Sequence, residues 1–209
     1  MSPPTRSARD RVAAARSRLE RRAQVTDSDV VMAAAASFLA VRPRSTAETR
    51  RRLRHLGYPA SLCDEVVERL VELGYLDDLA FAQAWVESRD RVRPRGSAAL
   101  RRELLMKGVA REVIDEVLAE RSAADHGTAR AGGSTISLDR GSGTASADAV
   151  AARRLLDRRA ASLRREQDPR RRRHKAYALL VRHGFSPDVC AEAAAAFVDV
   201  DWDLPAEGV

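Results

Sequence analysis

Residues 45 to 74 read STAETRRRLRHLGYPASLCDEVVERLVELG, and this stretch decides the fold. Ser45 and Glu48 have the spacing of a capping box, in which each side chain satisfies the other's free backbone N–H, so a helix starts at Thr46. Gly57 ends it, because a chain leaving a helix needs a residue that tolerates positive φ, and Tyr58 follows as an apolar anchor. The next helix places Leu62, Val66, Leu70 and Leu73 on one stripe, with Val67 beside it. The pattern is helix, glycine turn, helix.

It returns twice. Laying Gly57 over Gly108 and Gly184 brings Leu53 onto Leu104 and Leu180, and Tyr58 onto Val109 and Phe185. Leu62 falls on Val113 and Val189, and Val66 on Val117 and Ala193. The first two glycines are 51 residues apart and the last two 76. A repeat of about 50 residues explains this if a polar tract is inserted before the third copy. That tract, residues 122 to 148, is rich in Gly, Ser, Thr and Ala, with Ile136 and Leu138 almost alone as large apolar residues. It buries too little surface to offset its ordering entropy and is expected to be disordered.

Each copy has room for three helices. Thr26 is placed to cap a helix reaching about Val41, with Val31, Ala35, Phe38 and Leu39 inward. In GYLDDLAFA, residues 74 to 82, Gly74 closes the first copy, Tyr75 and Leu76 seal its end, and Asp77 or Asp78 caps the next helix. Phe81 and Trp85, four apart, face the second core, as do Leu100, Leu104 and Leu105. Asp168-Pro169 and Ser186-Pro187 are helix starts in the third copy. The expected organisation is a basic flexible tail (1–25), repeats at 26–74, 75–121 and 149–199, and an acidic tail (200–209). The expected fold class is all-α: three tandem three-helix repeats in an elongated, curved array.

The 209 residues carry a net charge of +7, which favours an anionic partner. Residues 149 to 183 hold twelve Arg and Lys against Asp157, Glu166 and Asp168, more than the whole net charge. Seven arginines precede residue 25, facing only Asp10 and Glu20. Arg89, Arg91, Arg93 and Arg95 alternate through a connection broken by Pro94 and Gly96. Arg101, Arg102 and Lys107 stay wet beside the second core, and Arg170, Arg171, Arg172, Arg173 and Lys175 enter a helix of the third. These are the candidates for facing phosphate or acidic protein surface.

No nucleophile, base and orienter come together, and no glycine-rich phosphate loop is present, so the reading is non-enzymatic. Cys63 and Cys190 occupy the same place in their copies and read as small buried hydrophobes, not a disulfide. His55, His126, His174 and His183 lack zinc spacing with them, so neither a metal nor a cofactor is expected. Asp77-Asp78 reads as capping in place of a metal or catalytic pair. The longest nearly apolar run, residues 30 to 41, is too short to span a bilayer. A cytoplasmic monomer is the expectation.

The tandem units resemble the RecX family of recombination regulators. The resemblance rests on Gly74-Tyr75-Leu76-Asp77-Asp78 followed by Phe81-Ala82, and on Arg95-Gly96, Leu100, Arg102-Glu103-Leu104 and Lys107-Gly108-Val109. It implies a curved helical protein that binds the RecA recombinase filament on single-stranded DNA and lies in its groove. There it would limit filament growth and damp strand exchange and coprotease activity. The Arg-rich N-terminus and the insertion depart from the family pattern. The alternative is a stand-alone helical DNA-binding or transcription-regulating protein of helix-turn-helix type. Against it, the third helix of the first copy has an acidic outer face (Asp64, Glu65, Glu68, Glu72), which phosphate repels.

Overall fold

A computed structural model describes the backbone of residues 8 to 128 and 146 to 202, with side chains at 10 to 123 and 146 to 199. Among the described residues there are ten helices and no strand: α1 (Ala8–Ala23), α2 (Ser28–Leu39), α3 (Thr46–His55), α4 (Ala60–Glu72), α5 (Asp78–Val92), α6 (Ser97–Met106), α7 (Arg111–Thr128), α8 (Ala147–Leu163), α9 (Pro169–Arg182) and α10 (Pro187–Trp202). The fold is all-α, with three-helix repeats at α2–α4, α5–α7 and α8–α10. The helices form two compact units, one of Met1–Phe81 with the turn Lys107–Val109, the other of Ala82–Met106 with Ala110–Val209.

In the first unit, Ser45 and Glu48 close the capping box of α3. Val31, Ala35, Leu53, Tyr58, Cys63, Val66, Val67, Leu70 and Leu76 make the core. α2 is capped one residue later than expected. The Asp27 carboxylate accepts from the Asp29 amide, a charged acceptor that outcompetes the Thr26 hydroxyl. Leu73 (49% exposed) and Tyr75 (71% exposed) lie outside the core. The chain turns at Gly74 and the amides of Tyr75 and Leu76 both bond back to the Leu70 carbonyl, but only the Leu76 side chain is buried against the end of α4.

The N-terminal segment differs from the expected flexible tail. Residues 8 to 23 form α1, and Arg22 holds it down by donating to the Leu56 carbonyl at 3.3 Å and lying over the Tyr58 ring. Those contacts join residues over 30 positions apart, so they are invisible to a local reading.

In the second unit, Val86, Leu100, Leu104, Ile114, Val117 and Leu118 are buried. Leu105 is exposed, since α6 turns it away from Leu104. Trp85 is only partly buried, and Val86 takes the inward position. The third core gathers Ala151, Ala152, Leu155, Leu156, Leu163, Ala176, Leu180, Phe185, Cys190, Ala193 and Ala194. Its five alanines bring backbones close where aromatics are few. α9 has the expected start, Asp168 capping and Pro169 in the first turn.

The expected insertion is shorter at both ends. α7 continues to Thr128, and Asp148 lies in the first turn of α8, capped by Ser146. Residues 129 to 145, and the end of the expected acidic tail at 203 to 209, lie outside the described residues.

One joint is used twice. In the first unit, the Ser45 hydroxyl at the head of α3 donates to the Lys107 carbonyl at 2.6 Å, and the Thr46 amide donates to Asp78 at 2.8 Å. In the second, the Gly96 amide at the head of α6 donates to the His183 carbonyl at 3.1 Å, and the Ser97 amide donates to Asp148 at 3.0 Å. Ser45 and Gly96 are equivalent in the repeat, as are Lys107 and His183. Each joint gives the orphan N–H groups of a helix start a carboxylate from the first turn of another helix.

Candidate functional site

The arginines expected on the surface divide into held and free ones. Arg89 lies 4.2 Å over the Trp85 ring and pairs with Glu103 at 2.7 Å, while Trp85 donates its indole N–H to the same carboxylate at 2.9 Å. Arg95 approaches the other Glu103 oxygen at 3.7 Å, and its buried Nε has no hydrogen-bond partner. This cluster builds the connection between α5 and α6. Arg91 makes a loose pair with Glu87 at 3.7 Å, and Arg101 pairs with Asp115 across α6 and α7. Lys107 pairs with Glu48 at 2.7 Å within the joint of the first unit. Burial tends to raise the Glu48 carboxyl pKa, but Lys107, the Ser45 amide and Arg42 outweigh it and hold it below the usual value.

Arg93 and Arg102 are exposed and make no ion pair among the described residues. At the start of α9 the four arginines split in the same way. Arg172 donates its Nε to the Glu166 carbonyl at 3.0 Å, and Arg171 leans toward Asp168 at 3.6 Å. Arg170 and Arg173, three apart on one helix face, have no ionic partner among the described residues. Lys175 pairs with Glu166 at 2.6 Å and depresses that carboxyl's pKa.

The hinge residues have distinct tasks. Asp77 caps α5 by accepting from the amides of Leu79 and Ala80. Asp78 reaches Thr46 in the joint, and Gly74 takes φ of +74°. Tyr75 is solvent-facing.

Sequence reasoning passed over Arg121. Its side chain is 7% exposed and binds Asp90 through Nε and Nη2 at 2.8 and 2.9 Å. It also binds Asp148 at 2.6 Å and the Ser97 hydroxyl at 3.2 Å. Burial opposes its charge, yet the two carboxylates more than compensate and raise its pKa. The signal available was the doublet of Asp90 and Asp148 flanking an arginine on an otherwise acidic helix end, which local spacing does not join.

Both cysteines are fully buried free thiols, and each Sγ faces a carbonyl at 3.7 Å, Cys63 that of Tyr58 and Cys190 that of Phe185. Burial raises both pKa values. Among the described residues no group of three or more His, Cys, Asp or Glu is placed to hold a metal ion. None of the described helices is long and apolar enough to cross a membrane.

Family models for the RecX first, second and third three-helix domains match residues 32–70, 77–118 and 147–193. The regulatory protein RecX of Prosthecochloris aestuarii is 39% identical over 102 residues, 48% of this chain and 68% of that protein. The chain belongs to the RecX family. The RecX of Mycolicibacterium smegmatis is 43% identical over 83 residues, 40% of this chain and 44% of its own length. A crystal structure of RecX from Lactobacillus salivarius, 17% identical, superimposes with a TM-score of 0.63 over 83% of this chain and 97% of that one. At that identity the likeness concerns the fold.

Proposed function

We propose that this RecX-family chain is a non-catalytic regulator that binds the RecA filament on single-stranded DNA. There it limits filament growth, strand exchange and coprotease activity, and so moderates recombination and DNA repair. The observation that carries this reading is the match of all three RecX domains, in order, to this chain. The free cations support it, since Arg93, Arg102, Arg170 and Arg173 are open to an anionic nucleoprotein. The protein acts in the cytoplasm as a monomer. Arg89 and Arg95, drawn to Glu103, build the connection that carries Arg93.

The test adds the purified protein to RecA assembled on single-stranded DNA and follows ATP hydrolysis and strand exchange. Inhibition at substoichiometric or filament-saturating protein is the expected result. Sequence-specific duplex binding in a gel shift, with RecA activities unchanged, would replace this reading by the transcription-regulator one.

A further inference from the structure

Within the second unit, the connection from α5 to α6 faces α8 and the end of α9 across a cleft of about 450 Å³. It is lined by Val92, Arg93, Pro94, Arg95, Leu155, Arg158, Arg159 and His183, and no carboxylate is among them. We infer that this cleft is a binding site for a backbone phosphodiester of single-stranded nucleic acid, held by Arg93 and Arg159 with His183 and Arg95 behind them. The inference deepens the proposed function and rests on it only for the source of the strand.

The cleft is built. Pro94 and Leu155 are buried and give it an apolar base. Arg158 is already committed, donating to the carbonyls of Arg91 and Val92 at the end of α5, so it ties α8 to the connection. The Gly96 amide bond to the His183 carbonyl anchors the backbone on the opposite side, and the Leu179 carbonyl holds the imidazole through Nδ1. The Arg95 Nε is buried without a hydrogen-bond acceptor, and Glu103 reaches it only at 3.7 Å. Arg93 and Arg159 are exposed and have no ionic partner among the described residues. A guanidinium fork matches phosphate oxygens bidentately, and two free forks over an apolar base suit a phosphodiester flanked by sugar and base.

His183 reports on occupancy. Burial lowers its pKa first. Arg95 on the connection, Arg159 on α8 and Arg182 on α9 lower it further, against the Leu179 carbonyl that its Nδ1 meets at 2.9 Å. With Nδ1–H donated to that carbonyl, Nε2 carries the lone pair of the neutral ring and becomes a donor to a phosphate oxygen only when the ring is protonated. An anion seated among those cations reverses their effect, so a bound phosphodiester moves the imidazole pKa upward.

The experiment follows the His183 imidazole by NMR in the full chain, its signal assigned with His183→Gln, during titration with a short oligothymidylate. The expected result is a perturbed His183 resonance with a raised pKa. Arg93→Gln with Arg159→Gln should weaken strand binding about tenfold and lower the log–log salt slope by about 0.7, the value for the one single-strand phosphate that the two arginines share. Thermal unfolding of the double variant at the wild-type temperature confirms that folding is intact. If it unfolds lower, charge-preserving Arg93→Lys with Arg159→Lys takes its place, with partial rescue expected. An unmoved His183, an equal response to inorganic phosphate or ATP at the same concentration, or unchanged binding by Arg93→Gln with Arg159→Gln overturns the assignment. Absence of any effect on RecA, with the His183 response intact, overturns the filament reading and leaves the cleft standing.

Discussion

The Gly96 amide donates to the His183 carbonyl across 3.1 Å, joining the head of α6 to the turn after α9. The two backbones are so close that a Cβ on residue 96 would lie 2.2 Å from the Gly184 oxygen and 2.5 Å from the Phe185 nitrogen. Backbone cannot swing aside as a side chain does. Gly96→Ala should therefore cost about 3 kcal/mol in denaturant unfolding. Gly74→Ala is the comparison: its φ is +74° but nothing lies within 4 Å of the new methyl, so about 1 kcal/mol of left-handed strain is expected. Equal losses for the two would mean the α6 joint yields.

Arg121 links Asp90 to Asp148 from an almost fully buried position. Removing one member of such a group strands the others. Arg121→Met should destabilise by about 3 kcal/mol, and adding Asp90→Asn with Asp148→Asn should recover part of that loss. Additive losses in this cycle would show the three groups to be energetically independent.

Glu48 has its pKa held down in the folded protein by Lys107, Ser45 and Arg42 despite the opposing effect of burial. A depressed carboxyl contributes stability that is complete above its ordinary value of 4.5 and lost as pH falls through the folded value. The gap in melting temperature between wild type and Glu48→Gln should be widest near neutrality and shrink below pH 4.5. A gap independent of pH would mean the loss comes from packing alone.

Cys63 and Cys190 are 0% exposed, and burial has raised their pKa values, so thiolate is scarce at neutral pH. A thiol reagent should label neither in the native protein and both after denaturation. Rapid native labelling of one of them would show that its repeat opens locally.

At the start of α9, charge reversal at Arg170 and Arg173 should weaken filament binding and flatten its salt dependence without lowering the melting temperature. Arg89→Glu should do the opposite, losing the Trp85 stack and the Glu103 pair and so destabilising the fold. Binding assays beside thermal melts separate the two cases.

The glycines 57, 108 and 184 and the leucines 53, 104 and 180 were legible because each marks a helix end or stripe through neighbours three to five residues away. Asp78 was legible only as a helix-starting residue. Its bond to the Thr46 amide joins positions 32 apart, and nothing local announces it. Trp85 was misplaced for a related reason. A large aromatic four residues after Phe81 reads as core, but its indole N–H needs an acceptor, and Glu103 with Arg89 supplies a partner at the surface. The candidate arginines were legible as a set of charges, while their division into held and free ones depends on carboxylates brought in from other helices.

Arg121 and Asp148 also fasten the two ends of the chain that leaves α7 and returns as α8, at 2.6 Å. Whatever number of residues runs between those anchors, the joint they close stays the same. The clamp, and not the sequence that links them, holds the two helices together, so a change of length between residues 129 and 145 should leave the melting temperature near the wild-type value.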